Sequence, residues 1–277
     1  MSPQSLLILF TGGIAAGVIG SMFGLGGGII LVPLLVLVLK IPIHNAIATS
    51  LVGVIATSSA TASRNVQRGM ANMRLASVLE IATVIGAIGG GAIAGHLHPR
   101  SLELLFAIGL TVMALPMALG KESDETLPPT HEPRGFIARL AGSYHDPALD
   151  RNVHYEITRF PLAMSISSVA GLLSGLLGIG GGVLKVPVLS LYCGMPVKAA
   201  AATSNFMIGV TAVASAFVYY GRGDIRPVIT ACAVLGVFAG SRAGLTIAQR
   251  THSSQLRVAF ALLMLFVAVQ MGWKALQ

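Results

Sequence analysis

The sequence predicts an all-α polytopic membrane protein built from two homologous repeats, the second expected to be inverted relative to the first. Three observations predict it. Of 277 residues, 54% are hydrophobic and only 10% are charged, with a mean hydropathy of +0.81; a soluble domain carries roughly 25% charged residues. The apolar residues fall into five segments, a polar stretch, and five segments again. One glycine motif occurs twice, as GLGGGIILVP over 24–33 and as GIGGGVLKVP over 178–187.

The apolar segments cover about 5–22, 24–39, 43–63, 75–95 and 101–119, then 160–177, 179–193, 197–220, 227–248 and 255–273. The first could be mistaken for a signal peptide. It lacks a basic start, and residues 17–28 recur at 171–182, so it is read as a membrane segment. The glycine-started second segments are shorter than the ~20 residues of a simple span and are expected to be broken or re-entrant.

The two motifs stand 154 residues apart, and the offset persists without a gap. Pro42 matches Pro196, Ala48-Thr49-Ser50 matches Ala202-Thr203-Ser204, Gly69 matches Gly223, and Gly86 and Gly90 match Gly240 and Gly244. This is an internal repeat. The chain divides into a first repeat (1–120), a hydrophilic linker (121–159) and a second repeat (160–277). An odd number of crossings per half inverts the second half; four crossings per half would leave the repeats parallel.

Seven of the ten acidic residues lie in the linker: Glu122, Asp124, Glu125, Glu132, Asp146, Asp150 and Glu156. Pro128, Pro129 and Pro133 break any early helix there, while GFIARLAGSY (135–144) has the character of a short surface helix. With ten crossings the linker shares a side with Arg64, Arg68, Arg74, Lys198, Arg250 and Arg257. The positive-inside rule makes that side cytoplasmic and leaves both termini outside.

Several functions are excluded. The formal charge of +8 comes from basic residues scattered between apolar runs, a pattern unlike a nucleic-acid interface. Cys193 and Cys232 both lie in apolar segments and form no disulfide framework. The glycine motif has no acidic residue about 20 residues on, as a dinucleotide site needs, and no Gly-Lys-Ser/Thr, as a phosphate loop needs. Gly221-Arg222-Gly223-Asp224 matches the GxGD of intramembrane aspartyl proteases, but that chemistry needs two carboxylates sharing a site. The other aspartates, Asp124, Asp146 and Asp150, all lie in the linker. No metal-ligand cluster stands out, and no cofactor is expected.

The candidate binding residues are those of the repeated motifs. Gly24, Gly26, Gly27 and Gly28, with Gly178, Gly180, Gly181 and Gly182, either pack helices closely or form unwound loops. In the second case their N–H groups can face an anion. Thr49 and Ser50, and Thr203, Ser204 and Asn205, offer hydroxyl and amide donors, or simply bond back to their own helices. Thr57, Ser58, Ser59 and Thr211 extend the same polar face. Lys185 is a charge inside a membrane segment, which is a functional hypothesis by default, with snorkelling to the interface as the alternative. Arg242 invites the same pair of readings, and Glu80 could carry a proton or pair with Arg74.

The paired GxGGG-x-x-x-x-P motifs, each followed by Ala-Thr-Ser and a glycine-led polar turn, resemble the sulfite exporter TauE/SafE family of membrane permeases. The resemblance covers nearly the whole chain except 121–159. It implies a secondary transporter of small sulfur-containing anions such as sulfite, sulfoacetate or thiosulfate, in a bacterial inner membrane. Export driven by an ion gradient is the expectation; uptake of sulfate, thiosulfate or another small ion is the alternative, and a non-transporting scaffold or intramembrane enzyme a further one. The implied partners are the anion and membrane lipid, with homo-oligomerisation left open. Lys185 and Asn205 have no match in the first repeat, so an asymmetric site is expected.

Overall fold

A computed structural model describes residues 3–23, 25–119, 140–146, 151–248 and 253–276. The helices are α1 (Pro3–Phe23), α2 (Gly28–Pro33, continued by a π-helical turn over Leu34–Val38), α3 (Ile43–Gln67), α4 (Met73–Ala94), α5 (Pro99–Leu119), α6 (Phe160–Leu177), α7 (Gly182–Leu191), α8 (Val197–Gly221), α9 (Pro227–Ala248) and α10 (Ser253–Leu276). Their order reproduces the ten apolar segments. Among the described residues, α1, α3, α4, α6, α8 and α9 are long and apolar enough to cross a membrane.

Local chemistry sets the helix limits. Pro42 and Pro196 hold extended backbone immediately before α3 and α8, because a proline ring fixes φ and suits a helix entrance. Asn72 caps α4 by accepting the Leu75 N–H at 3.0 Å. Pro33 has no N–H to donate inside α2, and the turn after it widens to π geometry, with Leu39 N–H reaching the Leu34 carbonyl at 3.2 Å.

Helices pack mostly across the two halves. α1 lies along α9, α6 along α4, α3 against α8 and α5 against α10. The contacts recur at the sequence offset. A Cβ at Gly17 would stand 2.1 Å from the Val237 carbonyl oxygen, and one at Gly171 would stand 2.0 Å from that of Thr83. Likewise Gly86 meets the Ser168 carbonyl and Gly240 that of Ile14, each at 2.1 Å. Small residues thus let the backbones approach where lipid offers no hydrophobic drive. The halves interleave, so the division at 121–159 is one of sequence and not of separate lobes.

Polarity runs opposite to that of a soluble bundle. Along α4, Ile81 and Ile85 are 64% and 67% exposed, while Glu80, Thr83 and Ala87 are buried. That is the pattern of a helix whose outer face meets lipid and whose polar residues face protein.

Part of the linker is built into the fold. β1 (Gly142–Asp146) and β2 (Arg151–Tyr155) form an antiparallel hairpin. Leu140, Tyr144, Tyr155 and Ile157 join a buried cluster with Leu75 and Leu79 of α4, Val186 and Leu189 of α7, and Ala199 of α8. Asn72 Nδ2 donates to the Leu140 carbonyl at 2.8 Å. The surface helix expected over 135–144 is therefore corrected: residues 142–144 are strand, and 135–139 lie outside the described residues.

Candidate functional site

Each half carries a helix–loop–helix tip at its glycine motif. The N-caps of α2 and α7 are Gly27 and Gly181, with φ of 77° and 71°. Side chains disfavour that left-handed conformation. A Cβ would also strike the α1 or α6 backbone, 2.7 Å from the carbonyl oxygens of Ala16 and Ala170 respectively. The loops are thus both unwound and closely packed, joining the two alternatives the sequence left open. Neither N-cap offers a side-chain cap, so the first N–H groups of these helices lack a partner within the helix. Gly24 lies outside the described residues.

The tips meet. Gly28 sits against the Gly178 carbonyl, which accepts a 2.8 Å hydrogen bond from Ser50 Oγ. A Cβ at Gly26 or at Gly180 would touch the same two side chains, Val54 of α3 and Ile208 of α8. Those residues fill the space between the tips, and sequence reasoning passed over them because an apolar residue in a membrane helix carries no signal of its own.

Lys185 lies in the first turn of α7, four residues after the N-cap Gly181. It is 2% exposed and does not snorkel. Its Nζ donates to Thr211 Oγ1 of α8 at 3.3 Å and stands 3.7 Å from Glu80 Oε2 of α4. Thr211 Oγ1 lies 2.6 Å from Glu80 Oε1 and 3.0 Å from the Met207 carbonyl, either of which can accept its single proton. Glu80 therefore faces Lys185 and not Arg74. At the positions 154 residues away, the first repeat and α9 hold Leu31, Thr57 and Val234. Thr57 there only bonds back to the Gly53 carbonyl, at 3.1 Å.

The remaining candidates divide by their partners. Thr203 Oγ1 accepts the Asn72 N–H at 2.9 Å, and Thr49 Oγ1 pairs with Thr230 Oγ1 at 3.3 Å. Those hydroxyls hold helices together. Ser58 Oγ donates to the Asn205 carbonyl. By contrast, Ser204 Oγ, Asn205 Oδ1, Glu80 Oε2 and Ser174 Oγ are buried and make no hydrogen bond. Buried polar atoms are satisfied in the great majority of cases, so unfilled ones point to a place for a polar ligand; of these four, Glu80 Oε2 lies beside the Lys185 ammonium and Ser174 beside the N-cap Gly181. Ser174 escaped the sequence reading because its counterpart in the first half is Gly20. Ser59 points out of the bundle, and Arg242 is exposed with its guanidinium 5.0 Å from the Phe238 ring. Asp224 pairs with Arg222 at 3.0 Å in the loop before α9, far in kind from a buried carboxylate dyad.

The family described as Sulfite exporter TauE/SafE matches residues 9–271. The "Probable membrane transporter protein YunE" of Bacillus subtilis is 25% identical over 280 residues, covering 99% of each chain. The "Probable membrane transporter protein MJ0441" of Methanocaldococcus jannaschii is 25% identical over 91% of this chain and 90% of its own. The "Sulfite exporter TauE/SafE family protein 5" of Arabidopsis thaliana is 46% identical over 61 residues, 22% of this chain and 13% of its own. No solved structure matches. The chain is a multi-pass membrane protein of the transporter type and belongs to the sulfite exporter TauE/SafE family.

Proposed function

We propose that the protein moves a small sulfur-containing anion, such as sulfite, thiosulfate or sulfoacetate, across a bacterial inner membrane. The observation that carries this reading is the buried Lys185 ammonium at the start of a glycine-capped helix. An anion there meets a fixed positive charge and the positive end of the α7 dipole. Removing a hydrated anion into a low-dielectric interior costs several kcal/mol unless donors replace its water. Ser174, Ser204 and the loop N–H groups can supply them without adding a permanent charge that would trap the ion.

The proposed geometry is alternating access by inverted repeats, with the linker side in the cytoplasm. It is supported by tips of opposite halves that meet at Val54 and Ile208 and by helix pairs that exchange halves at one offset. Both valine and isoleucine must move for an anion to pass. The direction we assign is export, because an interior-negative potential drives anions outward by about 2.3 kcal/mol per charge per 100 mV. No enzymatic step is assigned.

The test is counterflow in proteoliposomes over sulfite, thiosulfate, sulfate, sulfoacetate and taurine. Flux of at least one anion is expected, weakened for every transported anion by Lys185→Met. Flux unchanged in a folded Lys185→Met variant would place the pathway elsewhere.

A further inference from the structure

We propose that Glu80 binds a proton in exchange for the anion's occupation of Lys185, so that one proton travels with each anion. This rests on the anion-transport reading above. With the site empty, the Glu80 carboxylate is a tethered stand-in for the anion. It lies beside the ammonium, at the first turn of α7, where a negative charge is favoured.

The pair is built to come apart. Nζ and Oε2 are 3.7 Å apart, beyond hydrogen-bond distance, and each partner is held chiefly through the Thr211 hydroxyl. Oε2 makes no hydrogen bond, and the ammonium has three donors to offer. An incoming anion can take over the ammonium without first breaking a direct contact.

Among the described residues, the helices packed on α4 offer the displaced carboxylate no second cation. α6, packed on α4, carries no titratable side chain between Phe160 and Leu177. α8 presents Thr211, while its Lys198 and Tyr219 lie toward its two ends, the latter donating to the Gly175 carbonyl. On α4 itself, Arg74 is exposed and lies about one and two-thirds turns away. A buried carboxylate without a counter-charge takes up a proton. The proton comes from water, forms one O–H bond at Glu80 and returns to water when the anion leaves; Lys185 keeps its own proton to hold the anion. The site carries no net charge when empty, and none with a monoanion and protonated Glu80. A dianion with one proton carries one net negative charge, so it is the dianion that the interior-negative potential still drives outward, whereas a monoanion with its proton is electroneutral.

A permanent structural ion pair is the competing explanation. The repeat argues against it, because the related positions hold the buried Leu31 and Thr57 and the half-buried Val234, with no charge among them. The fold does not require the charges.

The experiment uses labelled thiosulfate, whose charge does not change near neutral pH, in proteoliposomes that also enclose a pH-sensitive dye. Wild-type protein should move about one proton with each thiosulfate, in the same direction. Binding in detergent should tighten by up to about tenfold per pH unit on acidification. Glu80→Gln should bind thiosulfate without pH dependence and move no protons. Thiosulfate flux without proton movement, pH-independent binding by the wild type, or full proton coupling in Glu80→Gln each overturns the proposal while leaving the transport reading intact. No wild-type flux of any anion in the panel overturns both.

Discussion

Lys185 Nζ and Glu80 Oε2 stand 3.7 Å apart inside the bundle, and the positions related to them by the repeat are Leu31 and Val234. The molecule thus holds a charged and an apolar version of one packing arrangement. Removing one member of a buried pair costs about 3–5 kcal/mol, whereas replacing both by apolar residues is often neutral or stabilising. We predict that Lys185→Leu and Glu80→Val each lower the melting temperature in detergent, and that the double variant melts near or above wild type. A double variant less stable than either single one would mean that the pair holds the fold.

Thr203 and Ser204 are neighbours with opposite expected roles. Thr203 Oγ1 accepts the Asn72 N–H at the start of α4, while Ser204 Oγ is buried without a partner. Thr203→Val should cost about 1–3 kcal/mol of stability by orphaning that N–H. Ser204→Ala should leave stability nearly unchanged and weaken thiosulfate binding. Thermal melting with and without thiosulfate separates the two.

Gly86, Gly90 and Gly171 mark the closest passages between α4 and α6. Gly86→Leu would force the helices apart against backbone carbonyls, and overpacking of this kind costs about 1–3 kcal/mol or more. Loss of monodisperse protein in size-exclusion chromatography is expected. A well-behaved variant would show that this contact is dispensable.

Much of this architecture could be read beforehand. Apolar run lengths and proline positions located the ten helices, since both act locally; α3 runs to Gln67 where hydropathy alone ended the segment at 63. Lys185 and Glu80 were each conspicuous, but their pairing depends on how α4, α7 and α8 rotate against one another. The repeat did hold a clue, because both charges replace apolar residues at related positions. The hairpin was hidden for a different reason. Its strands are short and polar, and the tyrosines that dock it, Tyr144 and Tyr155, bury against helices remote in sequence.

That hairpin gives its own test. Cys193, just past the end of α7, is fully buried in the same cluster. Because the sulfur is out of reach of reagent, Cys193 should resist maleimide at neutral pH in the native protein. Replacing Tyr155 with Ala should expose it to labelling, as read by mass spectrometry. Equal labelling before and after the substitution would show that the hairpin does not cover α7.

The measurement that bears most directly on the anion site is thiosulfate counterflow by the Lys185→Leu/Glu80→Val double variant, which copies the apolar arrangement at Leu31 and Val234. The account predicts a folded, correctly inserted protein that has lost anion flux. A folded double variant that carries thiosulfate at the wild-type rate would contradict it.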